Sequence, residues 1–289
     1  MKILKIIILA LAVFVFTNCG DPDVNITGSQ YEPKITVEAY LFCGEAVKNI
    51  RLTRNFELGK QINMDQLYLG PQSNNVKVTL NDIQLYFDEN NKTYYNNNII
   101  VDYGKSYKIK ISAEIDGKQL FTTSETTTPI KGFSVLEHEL GTAEYNNQSF
   151  KIDFKTSPGT DIYIFSIIAD TANLGNFIFD NKLFPDIDTS QIVDQFNDYR
   201  YQYNMISGID SFSGQDYSYT IQPYQLWFYS SYTVTAYAGD ENFKFYLVTA
   251  PDVQEFDGNF HEPIQIFEGD GIGVFASAIK ETVKFAIVK

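Results

Sequence analysis

Cysteine and histidine are scarce in this sequence. Its 289 residues include only Cys19, Cys43, His138 and His261 of these two types. Two cysteines cannot build the disulfide framework of a small secreted domain, so a hydrophobic core must stabilise the fold. Neither histidine lies in an H-E-x-x-H motif, and no G-x-S-x-G nucleophile motif is present. We therefore predict a protein without catalytic residues, metal site or cofactor.

A long apolar run is also missing. The run at residues 6–16 has eleven residues, whereas a membrane-spanning helix needs about 20. It follows Lys2 and Lys5, an order typical of a signal peptide over residues 1–18. Residues 16–19 (FTNC) resemble a lipobox, in which Cys19 receives a diacylglyceryl group on its thiol. The alternative is an ordinary cleaved signal with an incidental cysteine.

Basic residues are outnumbered by acidic ones. The chain has 22 Lys and Arg against 36 Asp and Glu, a formal charge of −14. Without Lys2 and Lys5 in the leader, 20 bases remain against 36 acids, or −16. Such a surface repels phosphate backbones, so we predict no nucleic-acid partner. The charge also favours solubility.

Aromatic residues are abundant, at 15% of the chain with 20 Tyr and 23 Phe, and they favour strands. Residues 19–32 are polar and predict a flexible tether. Apolar and polar residues then alternate, most clearly at residues 107–115 before the turn dipeptide Asp116-Gly117. About seven strands over residues 33–130 predict an immunoglobulin-like β-sandwich.

Pro129 to Gly132 is the predicted boundary, followed at residues 131–289 by a second β-rich domain with one or two short helices. One helix is predicted after the cap residue Asp240 and ends before Pro251. A second is predicted from near Ser190, with Phe196 and Tyr199 on one face. The glycine-rich residues 269–273 are interpreted as a bulge or turn and not as a phosphate-binding loop, because no lysine follows them.

Several short motifs resemble one family. Residues 31–40 (YEPKITVEAY) and 50–54 (IRLTR) are similar to the start of a lipoprotein family common in Bacteroidota, the domain of unknown function DUF 4249. Residues 103–107 (YGKSY) resemble its internal turn. Residues 262–266 (EPIQI) and 269–275 (GDGIGVF) resemble its close. None of these motifs is catalytic.

The resemblance implies an outer-membrane lipoprotein, often encoded beside receptors that import nutrients. The expected partners are the outer-membrane bilayer, through acylated Cys19, and a TonB-dependent receptor barrel. Asp21 and Asp23 resemble the export tag that sends such lipoproteins to the cell exterior. Residues 170–172 (DTA) resemble an O-glycosylation motif centred on Thr171. No activity or set of binding residues comes with the family.

Aromatic residues also crowd one region of the second half. Tyr and Trp have flat apolar faces and a polar edge, which suit a glycan, a peptide or a partner protein. The alternative is that alternate tyrosines simply face a β core. The predicted ligand-binding residues are Tyr199, Tyr201, Tyr203, Tyr217, Tyr219, Tyr224, Trp227 and Tyr229.

Three functions remain open at this point. We favour a non-catalytic binding or accessory module of a nutrient-uptake assembly. An acidic stretch containing Asp180, Asp186, Asp188, Asp194 and Asp198 instead permits a glycan hydrolase that uses two carboxylates, although a solvated loop is the better explanation. A structural or adhesive envelope protein is the third possibility.

Overall fold

The computed structural model describes residues 31–57, 61–145, 149–179, 196–208, 216–249 and 264–289. The predicted signal peptide, Cys19 and most of the tether and of the acidic stretch lie outside these residues. Within them the fold is mainly β, as predicted. Strands form two sandwiches, each with its own cluster of buried hydrophobic side chains.

The first sandwich has the strand order of an immunoglobulin domain. One sheet runs β1-β2-β6-β5 and the facing sheet runs β8-β7-β3-β4. With the strands lettered in chain order A, B, C, C′, D, E, F and G, these sheets read A-B-E-D and G-F-C-C′. The predicted immunoglobulin-like sandwich is therefore confirmed. The strands are β1 Ile35–Phe42, β2 Ala46–Arg54, β3 Lys77–Leu80, β4 Ile83–Gln84, β5 Tyr86–Asp88, β6 Thr93–Ile100, β7 Ser106–Ile115 and β8 Lys118–Thr127.

Strict alternation builds this sandwich. Every second residue of β7 is buried, and its partner β8 returns through a tight turn at Asp116 and Gly117, whose φ angles are +53° and +75°. Both angles are positive, as a two-residue primed turn requires, and the predicted hairpin is confirmed. The carboxylate of Asp116 accepts hydrogen bonds from the Arg54 guanidinium at the end of β2, at 2.9 Å for Nη1.

The 22-residue loop between β2 and β3 contains two short helical turns. A 3-10 turn spans Met64–Gln66, and helix α1 spans Pro71–Asn74. Proline at the first position of α1 suits a helix start, because the missing N–H would have no partner there. This loop lies at the same end of the sandwich as the Asp116 turn.

The second sandwich faces a five-stranded region of sheet against a three-stranded sheet. The first runs β13-β12-β15-β17, with β10 also paired to β17; the second runs β14-β11-β9. The predicted second β-rich domain with short helices is confirmed. Its strands are β9 Ser134–Val135, β10 Glu139–Glu144, β11 Phe150–Lys155, β12 Ile162–Ala169, β13 Tyr201–Ser207, β14 Asp216–Ile221, β15 Ser231–Gly239 and β17 Gly271–Val288; its helices are α2 Phe196–Arg200 and α3 Glu241–Thr249, with 3-10 turns at Leu174–Asn176 and Pro223–Gln225.

Strand β17 belongs to both sandwiches. Its residues 271–278 pair in parallel with β1, residues 278–286 pair antiparallel with β15, and residues 284–288 pair in parallel with β10. The preceding strand, β16 (Glu268–Gly269), pairs with β8. The predicted boundary at Pro129 to Gly132 stays a prediction, and the pairing adds that the C-terminal segment returns to the first sandwich.

Glycine is required where this segment crosses between β8 and β1. A Cβ on Gly273, whose φ is +113°, would lie 2.2 Å from the Val37 carbonyl oxygen. A Cβ on Gly269, at φ +87°, would lie 2.4 Å from the Phe121 carbonyl oxygen. These glycines therefore permit close strand packing, which agrees with the predicted structural role of residues 269–273.

Asp240 caps α3 and joins it to both neighbouring strands. Its Oδ1 accepts a hydrogen bond from the Phe243 backbone N–H at 2.9 Å, which confirms the predicted cap. Its Oδ2 accepts from Thr126 Oγ1 on β8 and from Ser277 Oγ on β17, the latter at 3.0 Å. Burial raises the pKa of the Asp240 carboxyl, and these hydrogen bonds oppose the rise only in part.

We predict that Gly273→Ala destabilises the fold far more than Gly117→Ala. Alanine at position 273 must displace the Val37 carbonyl and adopt a positive φ, which should cost about 2–4 kcal/mol. A Cβ on Gly117 meets nothing within 4 Å, so only its φ of +75° opposes alanine, at about 1–2 kcal/mol. Urea denaturation monitored by circular dichroism measures both. Equal losses would contradict the importance of the close approach.

We also predict that Asp240→Asn weakens the pH dependence of stability. Because the folded pKa lies above the ordinary value of 3.8, the native state holds this proton more tightly than the unfolded chain. That contribution is fully present below pH 3.8 and is lost as pH rises through the folded pKa. The free energy of unfolding of Asp240→Asn, relative to that of the wild type, should therefore increase as the pH is raised toward neutral.

The control for this experiment is Asp240→Ala, which removes the cap and the hydroxyl acceptor together. It should be about 1–3 kcal/mol less stable than Asp240→Asn at every pH, because both variants lack the titrating carboxyl. Parallel pH profiles for the wild type and Asp240→Asn would contradict the prediction.

Candidate functional site

The predicted aromatic residues separate into a buried group and an exposed group. Trp227 and Tyr219 are buried, and Tyr199, Tyr217 and Tyr229 pack against the same core. The Tyr219 ring stacks on Phe165 with centroids 4.2 Å apart. The side chains of this group fill the second sandwich, as the core interpretation expected.

Burial also shapes the chemistry of this group. It raises the pKa of the Tyr219 hydroxyl to about 12, so this side chain stays neutral at physiological pH. Trp227 contacts Tyr199 with ring centroids 4.8 Å apart and Phe177 with centroids 5.9 Å apart. These rings close one end of the core beside α2.

The exposed group comprises Tyr201, Tyr203 and Tyr224. Tyr201 is 49% exposed, Tyr203 is 63% exposed and Tyr224 is 46% exposed. Tyr201 and Tyr203 lie on β13, where exposed and half-buried residues alternate. Met205, which the sequence analysis did not select, follows on the same face and is 39% exposed. We call Tyr201, Tyr203 and Met205 the outer strip.

Cross-strand pairing extends the outer strip into an uncharged sheet face. Tyr201 lies opposite Ile168, Tyr203 opposite Ser166 and Met205 opposite Ile164 of β12. Residues paired in this way present their side chains on the same face of the sheet. Strand β15 continues this face with Thr233, Thr235 and Tyr237.

A cation borders the outer strip itself, and Lys280 and Lys284 of β17 lie opposite Tyr237 and Thr233 at the other side of this face. The Arg200 guanidinium carbon lies 5.3 Å from the centroid of the Tyr201 ring, within the range of a cation–π contact. The guanidinium is held by a hydrogen bond from its Nε to the Ala169 carbonyl at 2.9 Å. Flat rings, a thioether and one adjacent cation can bind apolar or aromatic groups and accept polar ones at the hydroxyl edges.

Of the acidic and histidine residues considered for catalysis, the structure describes only Asp198 and His138. Asp198, the described member of the acidic stretch, lies in α2; Asp180, Asp186, Asp188 and Asp194 are outside the described residues, as is His261. His138 is exposed and donates from Nδ1 to the Thr282 carbonyl at 2.9 Å.

The described part of the chain offers little for metal or thiol chemistry. Within it, no cluster of three or more His, Cys, Asp or Glu side chains is arranged to hold a metal ion. Burial raises the pKa of the Cys43 thiol to about 11, so the thiol is protonated at neutral pH and is a poor nucleophile.

A surface groove on the first sandwich was not found from the sequence. Its volume is about 610 Å³ and it lies over the outer face of β3, β7, β8 and β16. Phe121, which is 61% exposed, and three lysines, Lys77, Lys108 and Lys110, contribute to its lining. The alternating sequence of β7 already indicates that Lys108 and Lys110 face outward. The pairing of β3 with β7, which only the structure shows, places Lys77 beside them.

The lysines of this groove are offset by nearby acids. Lys110 Nζ lies 2.6 Å from the Asp82 carboxylate. Glu125 lies directly opposite Lys108 in the β7–β8 pair, and Glu268 lines the groove. The local charge is therefore close to balanced, so the groove has no strong electrostatic preference for anions.

Thr171 is exposed and follows the end of β12. Its backbone N–H donates to Ser230 Oγ at 3.0 Å, and its carbonyl accepts from Asn176 Nδ2 at 2.9 Å. These bonds hold the backbone while leaving the side chain at the surface. The O-glycosylation of Thr171 stays a prediction.

The described residues include no helix with the length and apolar character to span a bilayer. The chain was also compared with known proteins, and no curated protein matches it in sequence.

Three solved immunoglobulin-type structures match this chain with TM-scores of 0.25 or less. An ICAM-5 D1–D4 ectodomain fragment aligns at 7% identity and a TM-score of 0.24, over 72% of this chain and 46% of that fragment. The titin Z1Z2 domains in complex with telethonin align at 10% identity and a TM-score of 0.20, over 90% of this chain and 98% of that one. A teleost fish polymeric Ig receptor ectodomain aligns at 13% identity and a TM-score of 0.25, over 65% of this chain and 97% of that one. The immunoglobulin-like assignment therefore rests on strand order alone.

One family model matches most of the chain. It carries the description "Domain of unknown function (DUF4249)" and covers residues 21–278. This range includes both sandwiches from β1 through the part of β17 that pairs with β1. The chain belongs to the DUF4249 family.

Proposed function

We propose that this protein is a lipid-anchored, non-catalytic binding module on the outer face of the outer membrane of a Bacteroidota cell. In this proposal it serves as an accessory of a nutrient-uptake assembly and contacts a receptor barrel of the TonB-dependent kind, or the glycan or peptide that the barrel imports. The observation that carries the proposal is the exposed, uncharged aromatic strip of β13.

The anchor is argued from the order of segments at the N-terminus. Two lysines, an eleven-residue apolar run and Cys19 follow one another within nineteen residues. Each buried CH₂ of an attached acyl chain contributes about 0.8 kcal/mol to membrane binding, and two or more chains hold a protein durably. Fifteen residues separate Cys19 from Ile35, the first residue of β1. Fully extended, they would reach about 50 Å.

An exposed aromatic face is less stable than a covered one, which supports a role for the outer strip in binding. Tyr203 leaves 63% of its surface in water, although a tyrosine is most stable with its ring covered and its hydroxyl hydrogen-bonded. Tyrosine and methionine are enriched at protein interfaces, and charged residues are depleted at interface centres. The outer strip has this composition within a chain whose net charge is −14.

We predict that Cys19→Ser releases the protein from membranes. Serine has no thiol to form the thioether, so the acidic body should move to the soluble fraction after cell lysis and lose incorporation of labelled fatty acid. Fractionation and labelling of cells expressing the full chain measure this. The matched control is Cys43→Ser, which should remain in the membrane fraction. A membrane-bound, unlabelled wild type would contradict the anchor.

We also predict that the double variant Tyr201→Ala and Tyr203→Ala loses partner binding. Aromatic hot spots of an interface contribute about 2 kcal/mol or more each, so recovery of the receptor barrel with the tagged, detergent-solubilised protein should fall by about tenfold or more. Tyr86→Ala is the matched control, because Tyr86 is 55% exposed on β5 of the other sandwich. Equal recovery with the double variant and the control would count against this surface.

A further inference from the structure

Strand β13 lies at the end of its sheet. In the described part of the chain it pairs with β12 alone, through seven consecutive residue pairs without a register shift. Residues 201–207 (YQYNMIS) contain no charged residue and no proline. A regular, uncharged edge of this kind offers its free backbone groups to another strand.

The other sheet edges in the described residues have features that discourage strand addition. Strands β4, β9 and β16 have two residues each, and β5 has three. Strand β10 has a register shift between Glu139 and Thr142, and β14 begins with an exposed Asp216. Short strands, irregularities and charges are the usual protections of an edge. Strand β13 has none of them.

Hydrogen bonds elsewhere in the sheet identify the backbone groups that face this open edge. The Asp170 N–H donates to the Ser231 carbonyl at 2.9 Å, just beyond the last β12–β15 pair. Hydrogen-bonded pairs alternate along antiparallel strands, so residues 162, 164, 166 and 168 of β12 bond β15, and residues 163, 165 and 167 bond β13. Through the β12–β13 register, Gln202, Asn204 and Ile206 then bond β12.

The backbone groups of Tyr201, Tyr203, Met205 and Ser207 therefore point to the open edge. Their side chains are the exposed ones of β13. The same four residues thus present both the unpaired main chain and the uncharged side chains to a partner strand.

We propose that β13 pairs antiparallel with β13 of a second copy of this chain, about a two-fold axis at Tyr203. This register places Tyr203 opposite its own copy and Tyr201 opposite Met205, which gives an aromatic pair and two sulfur–aromatic pairs. On the other face Gln202 lies opposite Asn204, and their amides can hydrogen-bond.

Charge also favours a second copy in this register. The paired residues 201–207 carry no charge, so no like charges face each other along the shared strands, although the whole chain carries −14. The shared edge is short, so the dimer should be a dissociable one. Closed two-fold pairing also removes the open edge and therefore limits assembly to two copies. This inference does not depend on the proposed function.

Cysteine cross-linking of the purified full chain tests the register. Paired Cα atoms across such a strand pair lie about 5.5 Å apart, which suits a disulfide. Tyr203→Cys should form a covalent dimer on mild oxidation. Tyr201→Cys alone should not, whereas Tyr201→Cys mixed with Met205→Cys should. The wild type is the control for disulfides formed through Cys43. Tyr86→Cys is the control for disulfides formed by random collision of exposed cysteines. A yield for Tyr203→Cys no higher than for Tyr86→Cys would overturn the proposal.

A proline substitution tests whether the main chain makes the contact. The Met205 N–H faces the open edge, so Met205→Pro removes a donor to the second copy without removing a bond to β12. In the Tyr203→Cys background, Met205→Pro should lower the cross-linked yield by about tenfold, whereas Met205→Ala should change it far less. Unchanged circular dichroism and melting temperature establish that both variants fold.

Two other results would also overturn the inference. Equal loss with Met205→Pro and Met205→Ala would mean that side chains alone make the contact. A chain that stays monomeric in sedimentation velocity but binds a lysine-flanked peptide of alternating valine and threonine at β13 would mean that the edge accepts a foreign strand and not a second copy.

Discussion

The two sandwiches depend on one strand, and that strand depends on one close backbone approach. Strand β17 pairs with β1 in its first half and with β15 in its second half. It reaches β1 only because Gly273 has no side chain to meet the Val37 carbonyl. Phe275 then enters the core of the first sandwich, while Val283, Phe285 and Ile287 enter the core of the second. A substitution that prevents this close approach would therefore disturb both cores.

The position of the outer strip follows from that arrangement. Strands β15, β12 and β13 extend the sheet from β17 by regular antiparallel pairing. Every residue of these strands therefore points either to the second core or to the outside, and Tyr203 points outside. The strip is at once a sheet face and the last strand of the sheet. The proposed binding and the proposed self-pairing therefore share the side chains of the outer strip, and only the self-pairing also uses the main chain of β13 at the sheet edge.

Local patterns predicted much of the fold and only part of the candidate site. Alternation identified β1, β7 and β8, the Asp116-Gly117 turn followed from residue type, and Asp240 was recognised as a helix cap. The tyrosines were harder, because Tyr201 and Tyr203 alternate in β13 just as Tyr217 and Tyr219 alternate in β14. Either pair fits a core or a surface. Met205 was missed because an isolated methionine gives no signal until its strand is placed at the sheet edge.

The sequence by itself determined the features that depend on a few neighbouring residues: the order of basic, apolar and cysteine residues at the N-terminus, the absence of a disulfide framework, the alternating strands and the cap. Tertiary structure alone decided which tyrosines are buried, which strand is shared and which edge is open. The physical reason is the range of the interactions. Turn and cap preferences act within about four residues, whereas burial of Tyr219 and exposure of Tyr203 are set by strands far apart in the chain, whose pairing no local pattern records.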